Sequence, residues 1–404
     1  MSKKSPMIVI FTTVFLDLVG FGIVIPLVAV YGRRFGADAV HLGMLGAVYS
    51  VMQFFFAPFW GNLSDRIGRR PVLLISLLGS TCAYFGFAMA DSYWALFATR
   101  ALAGIFAANI SAAQAYIADI TTPENRAKGM GMIGAAFGIG FTLGPPLGGI
   151  SAAQLGLAAP GLIAGTICAL NLLLAVFRLP ESLSKELREE VKMGKGTRRS
   201  RSPLDLRRLG EVMKRPELGK YLATSFLVTF AFSNIEQVFA VFIQDRFSLE
   251  TAMAGYRTGI LLMWAGILGA LIQGGLIRRL APKFGEKRLL SWGLLFGVVA
   301  MAFFPYGPTW GSYFALIVPL AIANGLINPS LYSLVSRAAA QTEQGAVMGV
   351  SQGLSSLARA FGPMVGMVMF GVGAHLPFNI AAGCYLVVAL WHWKSRGEAK
   401  AVTT

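Results

Sequence analysis

The chain has 404 residues, of which 55% are hydrophobic and only 13% charged, roughly half the charged share of a soluble domain. Its formal net charge of +16 would suit a nucleic-acid binder, but the apolar residues run in long blocks, and about 20 of them suffice to cross roughly 30 Å of hydrocarbon as a helix. A soluble fold is excluded, and continuous apolar runs instead of alternating ten-residue segments exclude a transmembrane barrel.

Twelve spans are predicted, at residues 7–30, 41–60, 71–91, 94–117, 128–150, 156–178, 219–244, 253–277, 289–306, 311–336, 345–371 and 376–393. The fold class is therefore all-α, a polytopic membrane protein. Lys3 and Lys4 precede the first apolar run in the manner of a signal peptide. That run is too long for one and carries Asp17 at its middle, so it is read as a retained span.

Asp17 lies in LDLVGFGIVIP near mid-membrane, where a carboxylate must pair or take up a proton. It is thus a proton carrier or a structural acid bonded to helix ends. Between spans two and three, GNLSDRIGRRP (61–71) joins a turn-forming Gly to an acid and a basic cluster. Such a cluster binds acids on neighbouring helices or lipid headgroups. Arg100, in the outer third of span four, is a buried cation that pairs with Asp17, stabilises another acid, or attracts an anionic substrate.

In span five, GIGFTLGPPLGG (138–149) spaces glycines by three or four on one face for close helix approach, while Pro145 and Pro146 bend the helix. Residues 179–218 are the only long polar stretch and form a cytoplasmic linker between bundles 1–178 and 219–404. Within it ESLSKELREEVK is a solvated linker or a helix at the lipid surface. Glu236 in span seven, beside Asn234 and Gln237, gives the second half an intramembrane acid, either an ion site or a packing group. Arg359 in span eleven needs a partner, and capping or interhelical pairing suits it better than substrate contact. Asn109, Asn234, Gln237, Gln273, Asn324 and Asn328 are further polar groups that serve as interhelical glue or face a substrate cavity.

Sliding the chain by 218 residues lays Gly131, Gly144, Pro145 and Gly148 over Gly349, Gly362, Pro363 and Gly366, an internal repeat suited to two halves rocking around a central site. Basic residues concentrate in the termini, the linker and alternate loops, leaving Arg33, Arg34, Arg246 and Arg257 on the opposite side. The positive-inside rule then puts both termini in the cytoplasm, with the basic residues reporting topology and not a nucleic-acid partner. Cys82, Cys168 and Cys384 are too scattered for a disulfide framework or metal cluster, and His41, His375 and His392 too dispersed for a metal. No GxxxxGK[ST] occurs, so no cofactor is expected and pumping must draw on an ion gradient.

GNLSDRIGRRP resembles the signature loop of the major facilitator superfamily. That resemblance implies a gating role for Gly61, Asp65, Arg66, Gly68, Arg69 and Arg70, with Asp65, Arg69 and Asp119 forming a charge relay that locks the inward face. A degenerate counterpart, GGLIRRLAPKFGEKR, sits at 274–288. Gly140, Gly144, Pro145, Gly148 and Gly149 resemble the antiporter motif of the twelve-span drug:proton branch, and Asp17, Gly20, Gly22 and Pro26 resemble its first-span motif. The resemblance favours proton coupling through Asp17 and Arg100, and Glu236, near the repeat equivalent of Asp17, is a further candidate.

MQFFFAPFWGNLSDRIGRRPVLL (52–74), AYIADIT (115–121) and the span-five motif together look most like the bacterial tetracycline:proton antiporters. Those also use acids in spans three and nine and a His in span eight; here residues 71–90 and 289–306 hold no acid and 253–277 no His. The implied protein is a monomeric inner-membrane antiporter, no enzyme, that exports a small amphipathic drug. The alternative within the same fold is a transporter of a sugar, amino acid or siderophore-like metabolite.

Overall fold

A computed structural model describes residues 4–107, 109–121, 123–183, 206–339 and 344–401. Among the described residues every regular element is helical. The chain is an all-α polytopic membrane protein with twelve transmembrane helices.

The first six spans are α1 (Lys4–Arg34), α2 (Ala39–Ile67), α3 (Arg69–Ala88), the pair α4 (Tyr93–Ile105) and α5 (Asn109–Ile120), α6 (Pro123–Leu155) and α7 (Ala159–Arg178). A short amphipathic helix, α8 (Leu206–Met213), then precedes the seventh span, α9 (Pro216–Arg246). The eighth is α10 (Thr251–Leu271), continued through a π turn (Ile272–Leu276) into α11 (Ile277–Phe284). The last four are α12 (Glu286–Phe303), α13 (Trp310–Ala338), α14 (Gln344–Val372) and α15 (Leu376–Ala401). Ten helices are long and apolar enough to cross a membrane over their described residues. The other two spans are α6 and the α4–α5 pair.

Two differences from the sequence expectation have physical causes. Span four is broken between Ile105 and Asn109, and the carbonyls freed by the break find side-chain donors. Trp60 Nε1 donates to Ile105 O at 2.6 Å, Gln53 Nε2 to Ala107 O at 3.5 Å, and the Ser76 hydroxyl bonds Phe106 O. Backbone groups at membrane depth need such partners, and α2 and α3 supply them. In the linker, α8 is amphipathic and short, with no long apolar run to announce it. The ESLSKELREEVK segment lies outside the described residues beyond Leu183.

Two compact units emerge. The first comprises residues 1–37, 48–203 and 243–260; the second comprises 38–47, 204–242 and 261–404. In the first, α1 packs along α6 and α7, and α3 against α7 and α4. Arg33 on α1 pairs through both guanidinium nitrogens with Asp245 at the end of α9, the second bond being 2.9 Å. In the second unit α12 packs against α13 and α15. Phe304, 1% exposed, stacks on Phe378 at 5.3 Å and meets Phe239 and Tyr313 at 5.0 Å, an aromatic core at one end of these helices.

Candidate functional site

Two motifs distant in sequence interlock within the first unit. A Cβ built on Gly22 would lie 3.0 Å from Gly140 O and 3.1 Å from Gly144 Cα, and one on Gly144 would lie 2.6 Å from Gly22 Cα. Gly140 meets Leu18 Cβ at 2.8 Å, and Gly148 faces the Ile23 carbonyl. Any side chain here would push α1 from α6, so the glycines spaced by three and four exist to let two backbones touch. Gly149 and Gly259 repeat the device between α6 and α10: their Cβ positions fall 2.7 Å from Tyr256 Cα and 2.6 Å from Pro145 O.

Asp17 sits one turn before this contact, half-buried. On the next turn the Tyr84 ring lies 3.3 Å from the Cβ position of Gly20, and Tyr84 is within Coulombic reach of both Asp17 and Arg100. Arg100 is 3% exposed. An acid, a phenol and a guanidinium from three helices therefore fall within electrostatic range of one another's fields around Tyr84.

The turn after α2 gathers a second constellation. Gly68 takes φ 113° and ψ 162°, a conformation essentially confined to glycine, and delivers Arg69 to the first position of α3. The Arg69 guanidinium, 7% exposed, bonds Asp65, reaches Asp119 Oδ2 at 3.0 Å and takes Ser64 Oγ at 3.1 Å. Arg70 donates to Val176 O at 2.7 Å, while Arg66 is exposed and Gly61 has open space around it. The structure thus brings Asp65, Arg69 and Asp119 together, the grouping that the family resemblance implied.

Glu181 was missed by sequence reasoning. Its carboxylate accepts from the backbone N–H groups of Arg69 at 2.9 Å and Arg70 at 3.2 Å, capping α3 from a segment over 100 residues away. Ser182 Oγ donates to Asp119 Oδ2 at 3.0 Å, and Tyr116 donates to Pro180 O at 3.0 Å. An acid directly after the LP that closes span six was the available signal, but it read as the start of a solvated linker.

In the second unit Glu236 is half-buried on α9. Asn234 is fully buried and donates to Pro377 O at 2.7 Å, joining α9 to α15. Gln237 is 5% exposed, and its side chain packs 2.6 Å from the Cβ position of Gly46. Gln273 is exposed on the π turn, Asn328 is exposed on α13, and Asn324 is half-buried there. Asn109 lies at the start of α5, its side chain outside the described residues. The described His, Cys, Asp and Glu residues form no group that could hold a metal ion.

Comparison with known proteins places these features in a family context. The model of the Major Facilitator Superfamily matches residues 10–363 and 276–403. The chain is 35% identical to the class C tetracycline resistance protein of Escherichia coli over 403 residues, covering 96% of both chains. It is 33% identical to the class E tetracycline resistance protein of Escherichia coli, covering 87% of this chain and 84% of that one. Among solved structures it resembles the human organic anion transporter MFSD10 (TETRAN), with a TM-score of 0.71 and 27% identity, covering 97% of this chain and 100% of the other.

Proposed function

Because the chain belongs to the Major Facilitator Superfamily, and is a membrane transporter rather than an enzyme, we propose that it is a proton-coupled antiporter exporting a small amphipathic compound such as tetracycline. The observation that carries the reading is the half-buried Asp17, set one turn from the glycine contact between α1 and α6. A carboxylate at that depth is costly when ionised beside lipid and inexpensive when protonated, the property a proton carrier needs. The tetracycline resistance proteins among the relatives support a drug as cargo.

The cycle is alternating access between bundles 1–178 and 219–404, joined by the linker 179–218. Asp17, with Glu236 in the second bundle, loads protons from outside; their release inward accompanies export. Arg100 balances the Asp17 charge, and Asp65, Arg69 and Asp119, helped by Gly61, Arg66, Gly68 and Arg70, lock the inward face. Gly140, Gly144, Pro145, Gly148 and Gly149 form the packing face, and Asn109, Gln237, Gln273, Asn324 and Asn328 contact cargo, whereas Asn234, fully buried and bonded to Pro377 O, holds α9 to α15 instead. One proton moving through 100 mV supplies about 2.3 kcal/mol, enough to sustain a substantial solute gradient. The protein works as a monomer in the bacterial inner membrane with both termini cytoplasmic.

The test is tetracycline transport by inverted membrane vesicles under an imposed proton gradient. Wild type accumulates the drug and dissipates the gradient; Asp17→Asn does neither. Full proton-driven transport by Asp17→Asn would end the coupling role. The similarity to an organic anion transporter, with a buried guanidinium at hand, favours a second reading in which the cargo is an organic anion. A vesicle panel pairing tetracycline with aromatic carboxylates separates the two cargoes.

A further inference from the structure

The corner between α11 and α12, within the second unit, joins a cationic patch to an apolar stripe. On α11, Ile277, Leu280, Ala281 and Phe284 pack on a buried cluster of Ile272, Leu289, Ala321 and Leu326. Arg279 and Lys283, four residues apart and so on one helix face, are exposed on the other side. On α12, Leu290, Leu294 and Met301 are buried, while Trp292, Leu295, Phe296, Val299 and Phe303 are exposed and recur at helical spacing. Arg288, also exposed, stands one turn before Trp292. Phe284 links the two zones. Its ring meets that of Trp292 edge-on at 5.0 Å, and Lys283 Nζ lies 5.3 Å from its centroid.

The acids of this corner are already engaged. Glu217 accepts from Lys287 at 3.1 Å and Tyr221 at 2.8 Å, and Glu286 accepts from Arg337 at 2.9 Å and Ser333 at 3.1 Å. Among the described residues no carboxylate pairs with Arg279, Lys283 or Arg288. In the corresponding turn of the first unit, by contrast, Asp65 and Asp119 take the guanidinium of Arg69. The counter-charge for the α11–α12 corner therefore comes from outside the protein.

The stripe identifies its source. From Trp292 to Phe303 an α-helix rises about 16 Å, close to half of a hydrocarbon core roughly 30 Å thick, which is the depth of one leaflet. A free anion would use the cations and not the stripe, and a zwitterionic lipid would use the stripe with little gain from the cations. A lipid with an anionic headgroup uses both, with the Trp292 indole at headgroup level, where such rings are favoured. We propose that α11 and α12 form a binding site for an anionic diacyl phospholipid. Lys283 and Arg288 hold its phosphate with Arg279 at the rim, and one acyl chain lies along Trp292, Phe296, Val299 and Phe303. The site faces the membrane and stands apart from the coupling role of Asp17.

Native mass spectrometry of the purified full chain in detergent tests this, with phosphatidylglycerol and phosphatidylcholine of identical acyl chains titrated in turn. The wild type binds its first phosphatidylglycerol at least about tenfold more tightly than phosphatidylcholine. Lys283→Gln or Arg288→Gln weakens phosphatidylglycerol about fivefold, and the two together about thirtyfold, with phosphatidylcholine unchanged. Arg288→Lys keeps the charge and the affinity, and Trp292→Ala weakens both lipids alike. Arg178→Gln, which removes an exposed cation at the end of α7 in the first unit, leaves binding as it was. Equal affinity for the two lipids, or indifference to the double substitution, would overturn the site. So would a loss in Arg178→Gln equal to that in Arg288→Gln, which would assign binding to diffuse attraction by a chain of net charge +16. Displacement of the bound lipid by millimolar inorganic phosphate would make the corner a free-anion site instead.

Discussion

The turn from α2 to α3 and the turn from α11 to α12 occupy corresponding places in the repeat and use the same backbone device with opposite charges. Gly68 (φ 113°, ψ 162°) and Gly285 (φ 75°, ψ 153°) each precede a helix whose first residue is charged. The first helix begins with Arg69, which pairs with Asp119 at the end of α5 at 3.0 Å. The second begins with Glu286, which pairs with Arg337 at the end of α13 at 2.9 Å. Arg69 and Glu286 are 217 positions apart and Asp119 and Arg337 are 218, so the partners correspond and the polarity is reversed.

The reversal has a physical consequence at each helix N-terminus, where the backbone dipole favours an anion. Glu286 has the right sign, and its needs are met by Arg337 and the Ser333 hydroxyl at 3.1 Å. Arg69 has the wrong sign, and the molecule compensates with three acids, including Glu181 brought from beyond α7 to take the free N–H groups of α3. Burial differs likewise: the first residues Arg69 and Glu286 are 7% and 22% exposed, and their partners Asp119 and Arg337 23% and 71%. One turn is a desolvated lock and the other a solvated pair.

The largest effect is expected for Arg69→Met, which takes from Asp65 and Asp119 the buried guanidinium that they share and leaves two acids facing each other. Thermal denaturation of the purified protein is expected to show a loss of about 3 kcal/mol, with export abolished. Exchanging partners separates the two turns further. Glu286→Arg with Arg337→Glu leaves drug efflux from cells within about twofold, as expected of an exposed pair. Arg69→Glu with Asp119→Arg does not restore it, because Asp65 and Glu181 repel the new carboxylate. Glu181→Gln keeps the shape of the cap but removes the charge at the α3 dipole, costing about 1 kcal/mol in the same denaturation assay. Smallest is Glu286→Ala, which shifts stability by less than about 1 kcal/mol. A Glu286→Ala loss matching that of Arg69→Met would erase the distinction between the turns.

Most of the fold was legible in the sequence because membrane burial writes itself as long apolar blocks. The break in span four was not, since Phe106 and Ala107 are as apolar as their neighbours and the donors that permit it, Trp60, Gln53 and Ser76, come from other helices. The contact of Asp65 with Arg69 lies within one short motif, while the addition of Asp119, some 50 residues on, came only from the family resemblance. Glu181 was not legible as a site residue, because it acts through backbone groups over 100 positions away. Asn234 reads as a polar group in a span, and only its bond to Pro377 O reveals which neighbour it holds.

The clamp of residues 180–183 onto α3 and α5 decides where the polypeptide can be divided. If the halves were produced as two separate chains, or an affinity tag inserted between them, a junction placed at Leu179 would separate Glu181 and Ser182 from the fragment they bind. A junction beyond Leu183 leaves them in place, so fragment complementation succeeds or fails on a shift of only a few residues.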